Sequence, residues 1–83
     1  MPINYNTIQK VYGVEAQPGE GHVLFSLEYL TTTGVSQRFN SGVSPNDAKH
    51  ILDELVKLHL IERSKANVVR SKVQALEKAM VNV

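Results

Sequence analysis

The last eighteen residues carry an apolar residue at every third or fourth position, and this spacing constrains the fold more than any other feature of the chain. The successive gaps are 3, 4, 3, 4 and 3 residues. Such spacing lines one side of an α-helix that packs against another helix. We call this row the helix seam, and it consists of Ala66, Val69, Val73, Leu76, Met80 and Val83.

The helix seam has two interpretations. An apolar row of this kind is most often the side of a helix that is buried within its own chain. The second interpretation is self-association, because a chain of 83 residues has only a small core and oligomerisation is a common way to support one. The row also continues to Val83, where a chain end would normally fray. We therefore predict a homo-oligomer, a dimer, with the seam as its interface.

Positive charge accompanies the helix seam. Residues 57–83 carry six Lys and Arg residues against two Glu residues, a net charge of +4, whereas the whole chain has a net charge of +1. The candidates for contact with an acidic partner or with phosphate groups are Arg63, Lys65, Arg70, Lys72 and Lys78. The alternative is that these side chains form an ordinary solvated helix face.

Alternation of apolar and polar residues predicts three β-strands in the first half. The clearest strand spans 22–31, where the candidate core residues are Val23, Phe25, Leu27 and Tyr29. A strand at 7–16 precedes it and contains Gly13, which predicts a β-bulge. A third strand at 35–40 follows a short turn. Strands joined by such short turns pair antiparallel, so we predict a three-stranded meander.

The second half of the chain is predicted to be helical. Ser44 fits the N-cap, Pro45 the first helical position and Asp47 the first turn. The apolar stripe changes phase at 58–64, which favours two helices with a turn near Arg63-Ser64 over one long bent helix. The predicted fold class is therefore α+β: a three-stranded antiparallel β-meander followed by two C-terminal helices. We expect one domain over 1–83, with a β-rich half at 1–43 and a helical half at 44–83.

Composition excludes several classes of function. The chain has no Cys, so disulfide-stapled folds and thiolate metal sites are impossible. An apolar share of 42% and a charged share of 20% are typical of a soluble globular protein. No stretch approaches the roughly 20 apolar residues of a membrane span, and no signal peptide is recognisable. We expect a cytoplasmic protein without a membrane partner.

No residues have the spacing of a catalytic, cofactor-binding or metal site. His22, His50 and His59 lie too far apart in the sequence to form a helical ligand pair. Asp53 and Glu54 are adjacent, so on a helix their side chains diverge by about 100°. We therefore predict that the protein is not an enzyme and needs no cofactor.

Two functional hypotheses remain. The first is a small non-enzymatic protein-binding module, such as an accessory, assembly or inhibitor protein of bacterial or viral type, which self-associates through its C-terminal helix and binds a larger protein. The second is a nucleic-acid-binding dimer that uses the basic face of the same helix.

Overall fold

A computed structural model describes residues 3–81 of the chain, with side chains described for residues 3–80. A short 3-10 turn at Tyr5–Thr7 precedes three strands and two helices. Their bounds are Ile8–Pro18 (β1), Val23–Thr31 (β2), Ser36–Val43 (β3), Pro45–Lys57 (α1) and Arg63–Val81 (α2). The strands form one antiparallel sheet in the order β1-β2-β3. The predicted α+β fold with a β-meander and two C-terminal helices is thus confirmed.

The inner face of the sheet, which packs against the helices, is the face predicted from the alternation in β2. Val23, Phe25 and Leu27 have no exposed surface, and Tyr29 is half-buried. The helices contribute Leu52, Leu55 and Val73, which are also fully buried. One apolar core therefore draws on both halves of the chain.

A β-bulge lies where Gly13 predicted it. The pairing of β1 with β2 shifts register between Val11 and Gly13, and a second shift lies between Ile8 and Lys10. Each irregularity bends and twists the strand locally. The pairing of β2 with β3 has a continuous register, so the two edges of the sheet differ in regularity.

The turn between β2 and β3 requires a glycine. The Gly34 N–H donates to the Thr31 carbonyl at 2.9 Å, and the Thr31 N–H donates to the Val35 carbonyl at 2.8 Å. Gly34 has φ of 85°, a left-handed conformation that glycine adopts at little cost. This is the hairpin in which a type I turn is followed by a left-handed residue.

The start of α1 agrees with the sequence prediction. The Ser44 hydroxyl accepts the Asp47 N–H at 3.1 Å, and Pro45 occupies the first helical position. Val43 and Ala48 flank this cap and are both buried. The apolar residues at each side of the cap direct the chain from β3 onto the inner face of the sheet.

The break between the helices falls at Leu58–Glu62, slightly before the predicted turn near Arg63-Ser64. The His59 N–H donates to the Val56 carbonyl at 3.0 Å, and the Leu60 N–H donates to the Leu55 carbonyl at 2.9 Å. These two bonds form a Schellman motif, in which the residue after the cap is left-handed and usually Gly. Here that residue is His59, with φ of 59°. No Gly or Pro marks the break, which is why the sequence located it only by the change of phase.

The N-terminal turn lies beside α1. The pKa of the Tyr5 phenol is raised, first by burial and second by the carboxylate of Glu54 in α1. The aromatic ring thus extends the core to the segment before β1.

Replacing His59 with Gly should stabilise the fold. Glycine adopts the left-handed conformation without the steric cost that a side chain incurs, so His59→Gly should raise the free energy of unfolding by about 0.5–1 kcal/mol. The matched control is His50→Gly, because His50 is exposed within α1 and its replacement by Gly should lower the free energy of unfolding by roughly 0.3–0.5 kcal/mol. Urea unfolding followed by circular dichroism measures both values. Equal destabilisation by the two substitutions would contradict the left-handed cap.

Candidate functional site

The fold divides the helix seam into two parts. Ala66, Val69 and Val73 are 3%, 9% and 0% exposed and belong to the core of their own chain. This arrangement matches the first interpretation of the seam, burial within the chain. These three side chains therefore pack within their own chain. Val83, the last position of the predicted seam, lies outside the described residues.

The second part of the seam borders an open cleft. Leu76 and Met80 are half-buried and pack at the margin of the core. Together with Ala79 they form one wall of a cleft of about 420 Å³. The opposite wall is the turn between β1 and β2, at Pro18–Gly21. We call this feature the turn–helix cleft, and Glu20 is the charged residue among its lining residues.

Small residues hold the turn wall of the cleft in place. The Gly19 N–H donates to the His22 carbonyl at 3.1 Å, and Gly21 has φ of 74°. The His22 ring packs against two glycines, since a Cβ atom on Gly19 or Gly42 would lie 2.8 or 2.6 Å from it. The ring thereby connects the β1–β2 turn to the end of β3. The turn is recognisable from the sequence but this contact is not, because Gly42 is twenty residues from His22 and no local pattern joins them.

Arg70 does not lie on an open basic surface. Its guanidinium forms an ion pair with the Asp53 carboxylate of α1, and its side chain is only 30% exposed. A second ion pair, Lys49 to Glu77 at 2.7 Å, also joins the two helices. The candidate phosphate contact at Arg70 is thus partly neutralised within the chain.

The remaining basic candidates lie on more than one side of α2. Lys65 and Lys72 are exposed and seven residues apart, so they share one side of the helix. Arg63 and Arg70 are also seven residues apart, but five residues separate Lys65 from Arg70, which is about 140° around the axis. Lys78 is exposed as well. The fold therefore does not place all five cations on one continuous face.

A second hollow, of about 480 Å³, lies between the end of α1 and the start of α2. Three cations, Lys57, Arg63 and Arg70, border it together with a single carboxylate, Asp53. This hollow brings two of the predicted residues, Arg63 and Arg70, together with Lys57. Lys57 was not among the residues predicted from sequence, because its proximity to Arg63 depends on the turn between the helices.

The outer face of the sheet, which faces away from the helices, carries exposed apolar and charged side chains. Tyr12 is 51% exposed and Leu24 is 41% exposed. The Lys10 ammonium lies 5.5 Å from the centre of the Tyr12 ring, a cation–π contact. Arg38 and Glu28 form an ion pair at 2.5 Å across β3 and β2.

The structure shows neither a buried polar side chain nor a cluster of metal-ligating side chains among the residues it describes. Among residues 3–80 no polar or charged side chain is buried, and no three His, Asp or Glu residues come together in a group that would hold a metal ion.

No helix in the described part of the chain is both long and apolar enough to cross a membrane. Comparisons with family models, with curated proteins and with solved structures found no match to this chain.

Two valines of α2 test where the seam packs. Val73 is fully buried, so Val73→Ala should lower the free energy of unfolding by about 2 kcal/mol through lost apolar burial and a residual cavity. Val68→Ala is the matched control, because Val68 is 72% exposed and its truncation should change stability by less than about 0.5 kcal/mol. Urea unfolding gives both values, and similar losses for the two variants would contradict the burial of the seam within the chain.

Proposed function

We propose that the protein is a small non-enzymatic protein-binding module that docks an apolar segment of a larger protein in the turn–helix cleft. The observation that supports this proposal is the division of the helix seam. Its first half is buried in the core, whereas Leu76 and Met80 remain accessible opposite a glycine-rich turn.

The chemistry of the cleft suits an apolar side chain. Leu76, Ala79 and Met80 supply one wall, and Met is flexible and polarizable enough to adapt to differently shaped ligands. Buried apolar anchors at the centre of an interface commonly supply most of its binding energy. Glu20 at the opposite wall favours a partner segment in which the apolar anchor lies next to Lys or Arg.

A bulky charge at Ala79 should block the cleft. Ala79 is exposed and lines the cleft, so Ala79→Glu fills its mouth without changing a core residue. Ala75→Glu is the matched control, because Ala75 is exposed one helical turn earlier and does not line the cleft. We expect a nuclease-resistant protein that co-purifies with the wild type and with Ala75→Glu to be lost with Ala79→Glu. Quantitative mass spectrometry of the purified complexes measures the recovery.

The purified partner then gives the affinity. Calorimetric titration should show binding to Ala79→Glu weakened at least about tenfold, which corresponds to about 1.4 kcal/mol, and unchanged binding to Ala75→Glu. The amide signals of Gly19 and Gly21 should shift in the nuclear magnetic resonance spectrum on binding. Equal affinity for the two variants would show that the partner binds elsewhere on the surface.

We propose nucleic-acid binding as the second candidate function, on the observation that Lys57, Arg63 and Arg70 border one hollow. Three cations against one carboxylate favour an anionic ligand such as a phosphate group. This candidate ranks below the first because Arg70 already pairs with Asp53 and because Lys65 and Lys72 lie on another side of α2.

Charge reversal on the two sides of α2 tests this second candidate. Lys57→Glu combined with Arg63→Glu should abolish binding to a labelled oligonucleotide if the hollow contacts phosphates. Lys65→Glu combined with Lys72→Glu is the control and should weaken binding less. Arg70 is left unchanged because its substitution also removes an ion pair between the helices. Fluorescence anisotropy at several salt concentrations measures the affinity, which should fall steeply as salt rises. Absence of oligonucleotide binding at low salt would exclude nucleic-acid binding as the function.

A further inference from the structure

The two edges of the sheet differ in how they are protected from pairing with another strand. Natural sheets protect an edge with bulges, Lys or Pro. The β1 edge has all three: two register irregularities, Lys10 near its start and Pro18 at its end. The β3 edge, Ser36–Val43, has an uninterrupted register and contains neither Lys nor Pro, and its one charged residue is Arg38. Within residues 3–81, β3 pairs with β2 alone and is therefore an open, regular edge.

The hairpin hydrogen bond identifies which backbone groups of β3 point to the open side. The Thr31 N–H donates to the Val35 carbonyl, and in an antiparallel ladder such bonded pairs recur at every second residue. The odd-numbered residues of β3 thus bond to β2, and the even-numbered ones point outward. The outward set is Ser36, Arg38, Asn40 and Gly42. Among them the Gly42 carbonyl has a long contact with the Ser41 hydroxyl, at 3.4 Å.

The helices leave the inner face of β3 incompletely covered. Phe39, which pairs with the fully buried Leu27, is only half-buried. Val35, just before β3, is 49% exposed, and Gln37 between them is exposed. Pairing with another strand at this edge would cover apolar surface as well as satisfy backbone groups.

The sequence of β3 matches itself in one antiparallel register. With a two-fold axis at Phe39, each residue on the inner face lies opposite a residue of similar polarity in the other copy. Phe39 lies opposite its copy, Gln37 opposite Ser41, and Val35 opposite Val43. On the outer face Arg38 lies opposite Asn40, and the outward backbone groups of both strands face each other.

The neighbouring registers are less favourable. With the axis at Arg38, two guanidiniums lie directly opposite each other, and like charges opposed in this way are destabilising. With the axis at Asn40, Phe39 lies opposite the polar Ser41. Matching aromatic pairs, in contrast, stabilise a sheet.

We infer that two copies of this chain form a symmetric dimer by antiparallel pairing of their β3 strands with Phe39 at the two-fold axis, which extends each three-stranded sheet into one of six strands. This inference replaces the helix seam as the site of self-association and does not depend on the turn–helix cleft. The occupant of the edge is a second copy because in this register apolar residues of β3 lie opposite apolar residues, polar residues lie opposite polar residues, and Arg38 lies opposite the uncharged Asn40.

Charge substitution at Asn40 tests the pairing of Arg38 with Asn40. Asn40→Lys places a cation opposite Arg38 of the other copy at two symmetric positions, whereas Asn40→Glu places a carboxylate there. We expect the dimer dissociation constant to rise about tenfold for Asn40→Lys and to fall for Asn40→Glu. Gln17→Lys, an exposed residue of the β1 edge, is the control and should leave the constant unchanged. Sedimentation equilibrium from micromolar to millimolar concentration measures the dimer dissociation constant.

Single cysteines test the register directly, because the chain has no native Cys. Opposed residues of a non-hydrogen-bonded antiparallel pair have Cα atoms about 4.5 Å apart, within the range of a disulfide. Phe39→Cys should therefore cross-link on mild oxidation, whereas Arg38→Cys and Asn40→Cys should cross-link far less. If loss of the aromatic ring unfolds Phe39→Cys, the double variant Gln37→Cys with Ser41→Cys keeps the same register and gives the same readout.

Three outcomes distinguish a β3 dimer from a monomer and from a dimer that forms through α2. A wild-type chain that stays monomeric to millimolar concentration overturns it. So does a dimer that tolerates Asn40→Lys but dissociates with Ala79→Glu, because that result assigns the interface to α2. A dimer that responds to Asn40 and cross-links through Phe39→Cys supports it, whether or not the cleft binds a partner.

Discussion

The rest of the structure depends on the burial of the inner face of β2 beneath two helices. Val23, Phe25 and Leu27 are fully buried, and removing apolar surface of this kind from water is the dominant favourable term in folding. A strand this apolar needs cover along its whole length, which a helix of thirteen residues alone does not provide. The left-handed turn at His59 reverses the chain so that α2 packs against β1 and α1. The position of α2 then decides which parts of the seam are buried and which are accessible.

The packing of α2 also determines the role of its charges. Arg70 pairs with Asp53, and Lys49 pairs with Glu77, so charged side chains flank the apolar contact between the helices. Each pair is partly exposed and adds little stability by itself. Both pairs also partly neutralise Arg70 and Glu77 within the chain. The net charge of +4 at residues 57–83 therefore overstates the basic surface that a phosphate backbone would meet.

The two proposed binding surfaces occupy different parts of the molecule. The turn–helix cleft lies where α2 meets the turn after β1, and the β3 edge lies across β2 from β1. A dimer formed through β3 would carry two copies of the cleft, one on each subunit. Two sites on one rigid sheet raise the effective affinity for a partner that is itself repeated or symmetric.

The main elements of the fold follow from local signals in the sequence. The period of two in β2 identifies the face that is buried, and Ser44 with Pro45 identifies the first residue of α1 because both act on neighbouring backbone groups. Gly13 predicts a bulge for a similarly local reason. The break between the helices was predicted only approximately, since the residue that adopts the left-handed conformation is His59 rather than a glycine.

The candidate sites depend on contacts between residues far apart in the chain. The periodicity of the seam is the same whether its partner is another subunit or the chain's own core, so it shows that α2 has an apolar side but not what covers that side. The packing of the elements buries Ala66, Val69 and Val73 and leaves Leu76 and Met80 at the border of a cleft. It likewise brought Asp53 to Arg70 and His22 to Gly42. Local spacing specifies which side of an element is apolar or charged, but only the arrangement of the elements specifies which of those sides remain exposed.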